Sequence, residues 1–502
     1  MTGPKPIPIH EIVRHNKPND CWVVIEGQVW DLTEFAPQHP GGEGCKYSSF
    51  LDVGYSGNET MKVILRYAGQ DATRQYNEVH TLALLPTALT ISKLMGKLDT
   101  INSIWPTAQD TLSQVTHQKK PPLSSILSSH DFEIAAHSTL SKKAWAFYSS
   151  AATDLISDRA NKSFYNRVWF RPRVLRDVKE VDTVCMIQGV RSSLPLFVAP
   201  AAMARLAHES GERGIAKACS KKGIIQCASI NASYAIEEIV SAAPADYPFF
   251  FQLYVNKHRP SSELLLKRVW DLGIRVLFLT VDAPAPGKRE ADEAVRAGDI
   301  LSTPMSGTSA TRDKTGSGLA RTMGTYIDPS LSWEDLVWLR SFWMGKVIVK
   351  GVQSVEDAKR ASKEGIDGIV LSNHGGRNLD TSSPAVLVLL ELRRHCPEIF
   401  SQLEVYVDGG IRRGTDILKA LCLGATAVSI GRPFLYALSY GEDGVEHLID
   451  ILRDELETAM RLLGITDLSQ LHSGLVNTGD IDHLVPSTQG DIFTKRGLKA
   501  KI

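Results

Sequence analysis

Short apolar runs recur along the middle of this chain, and amphipathic helical stretches separate most of them. Runs of this kind are typical of strands buried on both faces. Strands that alternate with helices form parallel βαβ units, because a parallel pair needs a long crossover. The runs cover residues 196–199, 224–228, 249–254, 276–281, 347–350, 368–371, 405–407 and 427–430. Eight such runs predict an α/β fold with a closed (β/α)8 barrel, the TIM barrel.

A doubly wound open sheet is the alternative, but no Gly-x-Gly-x-x-Gly follows an early strand, which disfavours it. The length of 502 residues predicts two or three domains. We place a small domain at residues 5–97, a linker rich in Ser, Thr, Gln and Pro at 98–122, the barrel at 123–480 and a polar tail at 481–502. Residues 283–325, between the fourth and fifth strands, predict a mobile loop over the active face.

Charge and cysteine content limit the partners and the compartment. The chain has 56 basic and 56 acidic residues, which disfavours nucleic acid as a partner, and its apolar runs are too short to span a bilayer. Seven cysteines without a Cys-x-x-Cys pair indicate reduced thiols. The first residues lack a presequence pattern, so we expect a cytoplasmic protein. The C-terminal Ala500-Lys501-Ile502 is similar to a peroxisomal address, which leaves that compartment as an alternative.

A histidine and an arginine stand three residues apart just after the sixth predicted strand, in His374-Gly375-Gly376-Arg377. Barrels place their chemistry at the carboxyl ends of their strands, so His374 is a candidate general base. Asp282, after the fourth strand, is predicted to orient the imidazole, to stabilise the imidazolium and so to raise its pKa. Arg377 and Arg289 are candidates for binding a substrate carboxylate bidentately.

Glycines and arginines after the last two strands predict a phosphate site, since glycine lets backbone N–H groups approach an anion closely. The motifs are Asp408-Gly409-Gly410-Ile411-Arg412 and Gly431-Arg432. Lys350, at the end of the fifth strand, is predicted to stabilise negative charge on a bound cofactor ring. A lysine that extends to solvent is the alternative for Lys350.

Together these motifs resemble those of the FMN-dependent 2-hydroxy acid dehydrogenase and oxidase family. The motifs that carry the resemblance are Ser372-Asn373-His374-Gly375-Gly376-Arg377, Thr280-Val281-Asp282-Ala283-Pro284, Gln252-Leu253-Tyr254, Val405-Tyr406-Val407-Asp408-Gly409-Gly410-Ile411-Arg412 and Gly431-Arg432-Pro433-Phe434. The resemblance implies that His374 is the base, that Asp282 orients it, and that Arg377 and Tyr254 hold the carboxylate and hydroxyl of the substrate. It also implies FMN contacts from Ala201, Ala202, Ser229, Gln252, Thr280, Lys350, Asp408, Gly410, Arg412, Gly431 and Arg432.

Two positions depart from the family pattern. Phe147 stands where the family usually has a tyrosine that helps to bind the carboxylate, so one substrate hydrogen bond is in question. Asn231 stands where relatives tend to carry an apolar residue that faces the substrate side chain. We therefore expect Asn231 to contact the substrate and to alter the choice among 2-hydroxy acids.

The N-terminal segment resembles a cytochrome b5 domain over residues 5–95. A predicted hairpin at residues 22–35 precedes His39-Pro40-Gly41-Gly42, and Ala68-Gly69-Gln70-Asp71-Ala72-Thr73 and His80 follow it. The resemblance implies haem b held axially by His39 and His80, and therefore electron transfer. The segment 44–62 is longer than the corresponding segment of such domains usually is. It is either a tolerated surface insertion or intervening sequence retained in the gene model.

The two resemblances together imply a two-cofactor dehydrogenase. An L-2-hydroxy acid, with L-lactate as the first candidate, is oxidised to the 2-keto acid by FMN, and the electrons pass through haem b to cytochrome c or a similar soluble acceptor. One alternative is an oxidase that passes electrons to O2, with a vestigial haem domain; another is a non-catalytic haem carrier. The resemblance also suggests a homotetramer and, as an alternative location, the mitochondrial intermembrane space.

Overall fold

The computed structural model describes residues 6–36, 64, 67–73, 76, 85, 89, 91–99, 120–295, 302–309 and 318–486. The chain divides into two units, residues 1–116 and 117–502. The predicted haem ligands His39 and His80, the long segment 44–62 and most of the predicted linker lie outside the described residues. The boundaries proposed for the linker and the tail therefore stay predictions.

The N-terminal unit contains a five-stranded sheet. Its described elements are β1 (Pro6–Ile7), α1 (Ile9–Ile12), β2 (Asn16–Lys17), β3 (Asp20–Ile25), β4 (Gln28–Asp31) and β5 (Leu94–Leu98). The strand order is β1-β5-β4-β3-β2. Glu26 and Gly27 join β3 to β4, and their φ angles of 51° and 70° suit a two-residue hairpin turn, so the predicted hairpin is present. Cys21, Val23 and Trp30 pack into its core.

The second unit contains the barrel. The strands of this unit, inside and outside the barrel, are β6 (Trp169–Phe170), β7 (Cys185–Ile187), β8 (Val190–Ser192), β9 (Leu196–Val198), β10 (Ile225–Ser229), β11 (Phe249–Leu253), β12 (Val276–Thr280), β13 (Ser302–Thr303), β14 (Thr308–Ser309), β15 (Lys346–Val352), β16 (Gly368–Leu371), β17 (Glu404–Val407), β18 (Ala427–Ile430) and β19 (Val476–Asn477). Strands β9, β10, β11, β12, β15, β16, β17 and β18 pair in parallel and close on β9, which confirms the predicted barrel. Their bounds differ from the predicted ones by at most two residues.

Helices surround the barrel and connect its strands. They are α2 (Ser129–Thr139), α3 (Lys142–Ser149), α4 (Ile156–Ser163), α5 (Gly211–Lys222), α6 (Ile236–Val240), α7 (Arg259–Asp271), α8 (Glu290–Ala294), α9 (Leu319–Gly324), α10 (Asp335–Phe342), α11 (Val355–Lys363), α12 (Ala385–His395), α13 (Ile399–Gln402), α14 (Gly414–Cys422), α15 (Arg432–Ala437), α16 (Gly441–Leu463) and α17 (Gly479–Asp482). Helices α8 and α9 and the β13–β14 pair interrupt the loop predicted at 283–325, so the described part of the segment is not a continuous loop. Its position over the active face is confirmed, because Pro286, Arg289 and Met323 line the cleft at the carboxyl ends of the strands. None of the described helices is long and apolar enough to cross a membrane.

The inside of the barrel is filled by large side chains. Phe197, Phe250, Phe278 and Tyr406 pack there with exposed fractions of at most 1%. The β7–β8 hairpin packs Ile187 against this cluster, and the backbone N–H of Gln188 bonds the Glu404 carboxylate at the start of β17. The hairpin therefore covers the amino ends of the strands, and the carboxyl ends remain available for a site.

Candidate active site

The carboxyl ends of all eight barrel strands border one cleft. It holds about 1290 Å³ of empty space, its solvent-filled mouth included. The predicted site residues that line it are Ala201, Ala202, Ser229, Asn231, Gln252, Tyr254, Thr280, Arg289, Lys350, His374, Arg377, Asp408, Gly410, Arg412, Gly431 and Arg432. Asp282 does not line the cleft, but its carboxylate contacts His374. Side chains far apart in the sequence, such as those of Ala201 and Arg432, thus share one space.

His374 pairs with the buried carboxylate of Asp282 at the rim. The Nδ1 of His374 lies 2.8 Å from the Oδ1 of Asp282, whose side chain is only 2% exposed. A carboxylate at Nδ1 fixes the proton there and leaves Nε2 as the basic nitrogen. The hydroxyl of Tyr254 lies 3.3 Å from this Nε2. The basic nitrogen therefore faces the cleft.

The pKa of His374 corrects one expectation. Burial lowers the pKa of His374 below its ordinary value, although the Asp282 carboxylate acts to raise it as predicted. For Asp282, burial acts to raise the pKa, but the charges of His374 and Lys350 outweigh it and the pKa is lowered. The imidazole is thus neutral near pH 7 beside an ionised carboxylate, which is the state that a base needs.

The backbone at His374 is strained, and hydrogen bonds to Ser372 support it. His374 itself has a φ of 59°, which is uncommon for a residue other than glycine. The Ser372 hydroxyl accepts the N–H of His374 at 3.0 Å and a hydrogen bond from Lys350 Nζ at 3.1 Å. Gly351, with a φ of 111°, lies so near that a Cβ there would be 2.5 Å from the Cβ of Asp282. Only a glycine at this position leaves room for the carboxylate.

A pair of asparagines holds the motif, and the sequence alone did not indicate it. The Nδ2 of Asn161, on α4, donates to Asn373 Oδ1 at 2.8 Å, and Asn373 Nδ2 donates back at 3.0 Å. Asn373 Oδ1 also accepts the N–H of Gly376 at 3.0 Å. Asn161 is 212 residues away from its partner in the chain, and no sequence signal connects the two positions.

Two arginines in the cleft have no carboxylate partner among the described residues. Arg377 donates from Nη1 to the carbonyl oxygen of Tyr148 at 2.6 Å and from Nη2 to that of Phe147 at 2.8 Å. Arg289 is buried and donates from Nε to the carbonyl oxygen of Arg377 at 3.2 Å. Burial lowers the pKa of both guanidinium groups, that of Arg289 to about 10. The cleft therefore holds two guanidinium groups without an ion-pair partner among the described residues, an arrangement that favours an anion.

The other two arginines have acidic partners. Arg432 Nη1 lies 2.6 Å from Asp158 Oδ1, and Arg412 Nη2 lies 3.4 Å from Glu133 Oε2. The Nη1 of Arg412 is buried without a hydrogen-bond partner in the described structure. An anion at the loops after β17 and β18 would supply that missing acceptor.

Lys350 is buried, so the solvent-exposed alternative was wrong. Its Nζ lies 3.0 Å from Asp408 Oδ2. Burial acts to lower the pKa of Lys350, but the charges of Asp408 and Asp282 outweigh it and the pKa is raised. Lys350 thus carries a permanent positive charge in the floor of the cleft.

Neutral polar groups line the same floor. Ser229 Oγ donates to Gln252 Oε1 at 3.0 Å, and Gln252 Nε2 donates to Thr280 Oγ1 at 3.0 Å. Asp408 Oδ1 and Ser429 Oγ are buried without a partner among the described residues. Ser429 was not predicted, although a serine within the apolar run at 427–430 was a possible signal.

Comparison with known proteins places these features in a family context. A profile of FMN-dependent dehydrogenases matches residues 136–478, and one of the cytochrome b5-like heme/steroid binding domain matches residues 9–99. The chain is 38% identical to an L-lactate dehydrogenase (cytochrome) of Saccharomyces cerevisiae, over 96% of this chain and 81% of the relative. It is 40% identical to glycolate oxidase 3 of Oryza sativa subsp. japonica, over 68% of this chain and 93% of the relative.

Solved structures agree with these sequence similarities. The flavin-binding domain of baker's yeast flavocytochrome b2 superposes with a TM-score of 0.67 at 39% identity. The match covers 79% of this chain and 98% of that domain.

Proposed function

The chain belongs to the FMN-dependent dehydrogenase family, and we propose that it oxidises an L-2-hydroxy acid, with L-lactate as the first candidate, to the 2-keto acid. FMN is the first electron acceptor, and haem b of the cytochrome b5-like domain passes the electrons to cytochrome c or a similar soluble acceptor. The glycolate oxidase relative aligns with 68% of this chain, whereas the S. cerevisiae relative aligns with 96% of it. The additional match of residues 9–99 favours a dehydrogenase over an oxidase.

One observation carries the proposed chemistry: His374, paired with Asp282, shares the cleft with two arginines that lack a carboxylate partner in the described chain. A carboxylate substrate would compensate Arg377 and Arg289. Arg377 uses two of its five donors on backbone carbonyl oxygens, which fixes its plane and leaves donors for the substrate. The substrate would then be held with its hydroxyl-bearing carbon toward His374.

His374 acts as the base in this proposal. Its Nε2 takes a proton from the substrate, and the Asp282 carboxylate at Nδ1 stabilises the imidazolium that results. The Tyr254 hydroxyl, next to the same Nε2, is placed to bond the substrate hydroxyl. Burial raises the pKa of Tyr254 to about 12, so this group remains a protonated donor.

The cleft fits FMN on its own chemistry. Asp408 Oδ1 and Ser429 Oγ are buried and lack hydrogen-bond partners among the described residues. The ribityl hydroxyls of FMN would supply the missing partners. Arg412, Arg432 and the glycines after β17 and β18 would hold the phosphate, and Lys350 would supply positive charge to the bound flavin. When bound, FMN would take up two electrons and the second hydrogen of the substrate, and it would release the electrons one at a time. The chain's own part is to fix the ring and to supply positive charge beside it.

Substitution of the base tests the proposal. We expect His374→Gln to retain FMN but to lose nearly all reduction of the flavin by L-lactate, measured anaerobically as bleaching of the flavin absorbance. His472→Gln is the matched control, because His472 is exposed and lies outside the cleft lining. Full flavin reduction in His374→Gln would contradict the role of the base.

We also propose, on the family resemblance alone, that His39 and His80 are the haem ligands.

On the same basis we propose that the protein forms a homotetramer and lies in the mitochondrial intermembrane space. Light scattering of the purified protein measures the assembly, and fractionation of cells that express the full gene measures the location. A monomer, or a protein confined to another compartment, would contradict the respective part.

A further inference from the structure

Asn231 is a buried polar residue in the cleft wall. It follows β10 and has an exposed fraction of 5%. Its backbone N–H donates to Ser229 Oγ at 3.1 Å, and its carbonyl oxygen accepts the N–H of Met203 at 3.1 Å. Both backbone groups are thus fixed by the barrel rim, and the side chain lines the cleft.

The amide of Asn231 is paired on one side only. The hydroxyl of Tyr326 donates to Asn231 Oδ1 at 3.1 Å. Burial raises the pKa of Tyr326 well above its ordinary value, so the hydroxyl remains protonated. Within the described part of the chain, no side chain or carbonyl oxygen accepts a hydrogen bond from Nδ2. If the amide oxygen and nitrogen were exchanged, Tyr326 would still hold one end and the other would still face the cleft.

This amide lies beside the proposed chemistry. Ser229 of β10 pairs with Gln252 of β11, and Asn231 and Tyr254 lie two residues beyond them, just past the ends of these neighbouring strands. Tyr254 contacts His374 Nε2 at 3.3 Å. His374 and Asn231 line the same cleft, so the Asn231 amide is available to the side chain of a substrate that reacts at His374.

Apolar side chains, those of Ala201, Met323 and Ile327 among them, line part of the same cleft. An apolar wall neither rewards nor strongly rejects a hydroxyl, whereas a buried amide left unpaired disfavours a ligand that cannot bond it. A hydroxyl both donates and accepts, so it satisfies the amide in either orientation. Asn231 and Tyr326 are neutral and offer no charge to balance a second carboxylate.

We propose that this chain prefers L-2-hydroxy acids whose side chain carries a neutral hydroxyl, which the Asn231 amide, held by Tyr326, binds. The inference rests on the proposed function and specifies its substrate class. The bond determines which substrate is preferred, and the proton transfer at His374 stays the same for all of them.

Isosteric substrate pairs test this on the wild-type holoenzyme. L-Glycerate and L-2-hydroxybutyrate differ by a hydroxyl in place of a methyl group, and L-2,4-dihydroxybutyrate and L-2-hydroxyvalerate repeat the difference one carbon further out. We measure kcat/KM for each with ferricyanide as acceptor. At least one hydroxylated acid is expected to exceed its apolar partner by about tenfold, the equivalent of about 1.4 kcal/mol. Ratios near or below one for both pairs would overturn the inference.

Variants then assign the effect to the residues. Asn231→Leu is expected to bring the ratio of kcat/KM values between hydroxylated and apolar acid to one or below. Tyr326→Phe is expected to lower this ratio less, because the amide is then retained and loses only its hydrogen bond to the Tyr326 hydroxyl. An unchanged ratio in a folded, flavin-loaded Asn231→Leu protein would overturn the assignment. If L-lactate and both apolar acids react without any preference, only this inference fails. If no 2-hydroxy acid reduces the flavin, the proposed function fails with it.

Discussion

Replacement of Asp282 by asparagine tests the part of the site that the structure defines most closely. Asparagine keeps the size of the side chain but cannot stabilise an imidazolium by charge. The Oδ1 of Asp282 lies 2.8 Å from His374 Nδ1, and the Asp282 side chain is 2% exposed. Removal of the charge therefore acts directly on the protonated form of His374.

The expected size of the effect follows from Coulomb's law. Two unit charges about 4 Å apart interact by about 4 kcal/mol at an effective dielectric constant of about 20. This stabilisation exists only after His374 has taken the proton. Loss of the Asp282 charge therefore raises the free-energy barrier to proton transfer by a similar amount. Since about 1.4 kcal/mol corresponds to a tenfold change in rate, Asp282→Asn should slow flavin reduction roughly a thousandfold.

The assay is anaerobic stopped-flow reduction of the flavin by L-lactate, with flavin content measured first. Asp380→Asn is the matched control, because Asp380 is also a buried carboxylate but bonds the backbone N–H groups of Asp154 and Ser157, away from the cleft lining. A loss of less than tenfold in a flavin-loaded Asp282→Asn protein would refute the electrostatic role.

Two further predictions follow from contacts of the site, and a third follows from the family resemblance of the N-terminal segment. Because only neutral His374 accepts a proton and its pKa is lowered, kcat/KM should fall as the pH drops through a value below about 6.5; an inflection above that pH would contradict the pKa direction. Gly351→Ala should displace Asp282, slow flavin reduction and lower the melting temperature more than Gly365→Ala, where a new Cβ meets nothing within 4 Å; equal effects would refute the steric argument. His80→Ala should prevent haem incorporation, and an unchanged Soret band would contradict the ligand assignment.

The strands of the barrel were predictable because they are buried on both faces and appear as apolar runs in the sequence. The register was not predictable, because it depends on pairing across the sheet. The shift between Lys350 and Val352 in the β15–β16 pair shows this. It coincides with Gly351, which makes room for Asp282. The short elements inside 283–325 were also missed, because that segment is rich in loop-forming residues.

The site was predictable where its residues follow strand ends in short motifs. The polar residues after the strands share the cleft, because parallel strands bring their carboxyl ends together. Asn161 and Tyr326 were missed, because they lie in helical or loop segments without a motif. The sequence indicated the charge of Asp282 near His374 but gave no measure of burial. Burial determines the net direction of the pKa of His374.

The central claim is that electrons leave an L-2-hydroxy acid through the flavin and then the haem. Rapid anaerobic mixing of the holoenzyme with L-lactate, followed by absorbance, measures this directly. We predict bleaching of the flavin band, then reduction of the haem Soret band, and then reduction of added cytochrome c at a rate the haem can support. Flavin bleaching with no haem reduction, followed by rapid reoxidation of the flavin when O2 is then admitted, would contradict this order of electron transfer and favour an oxidase.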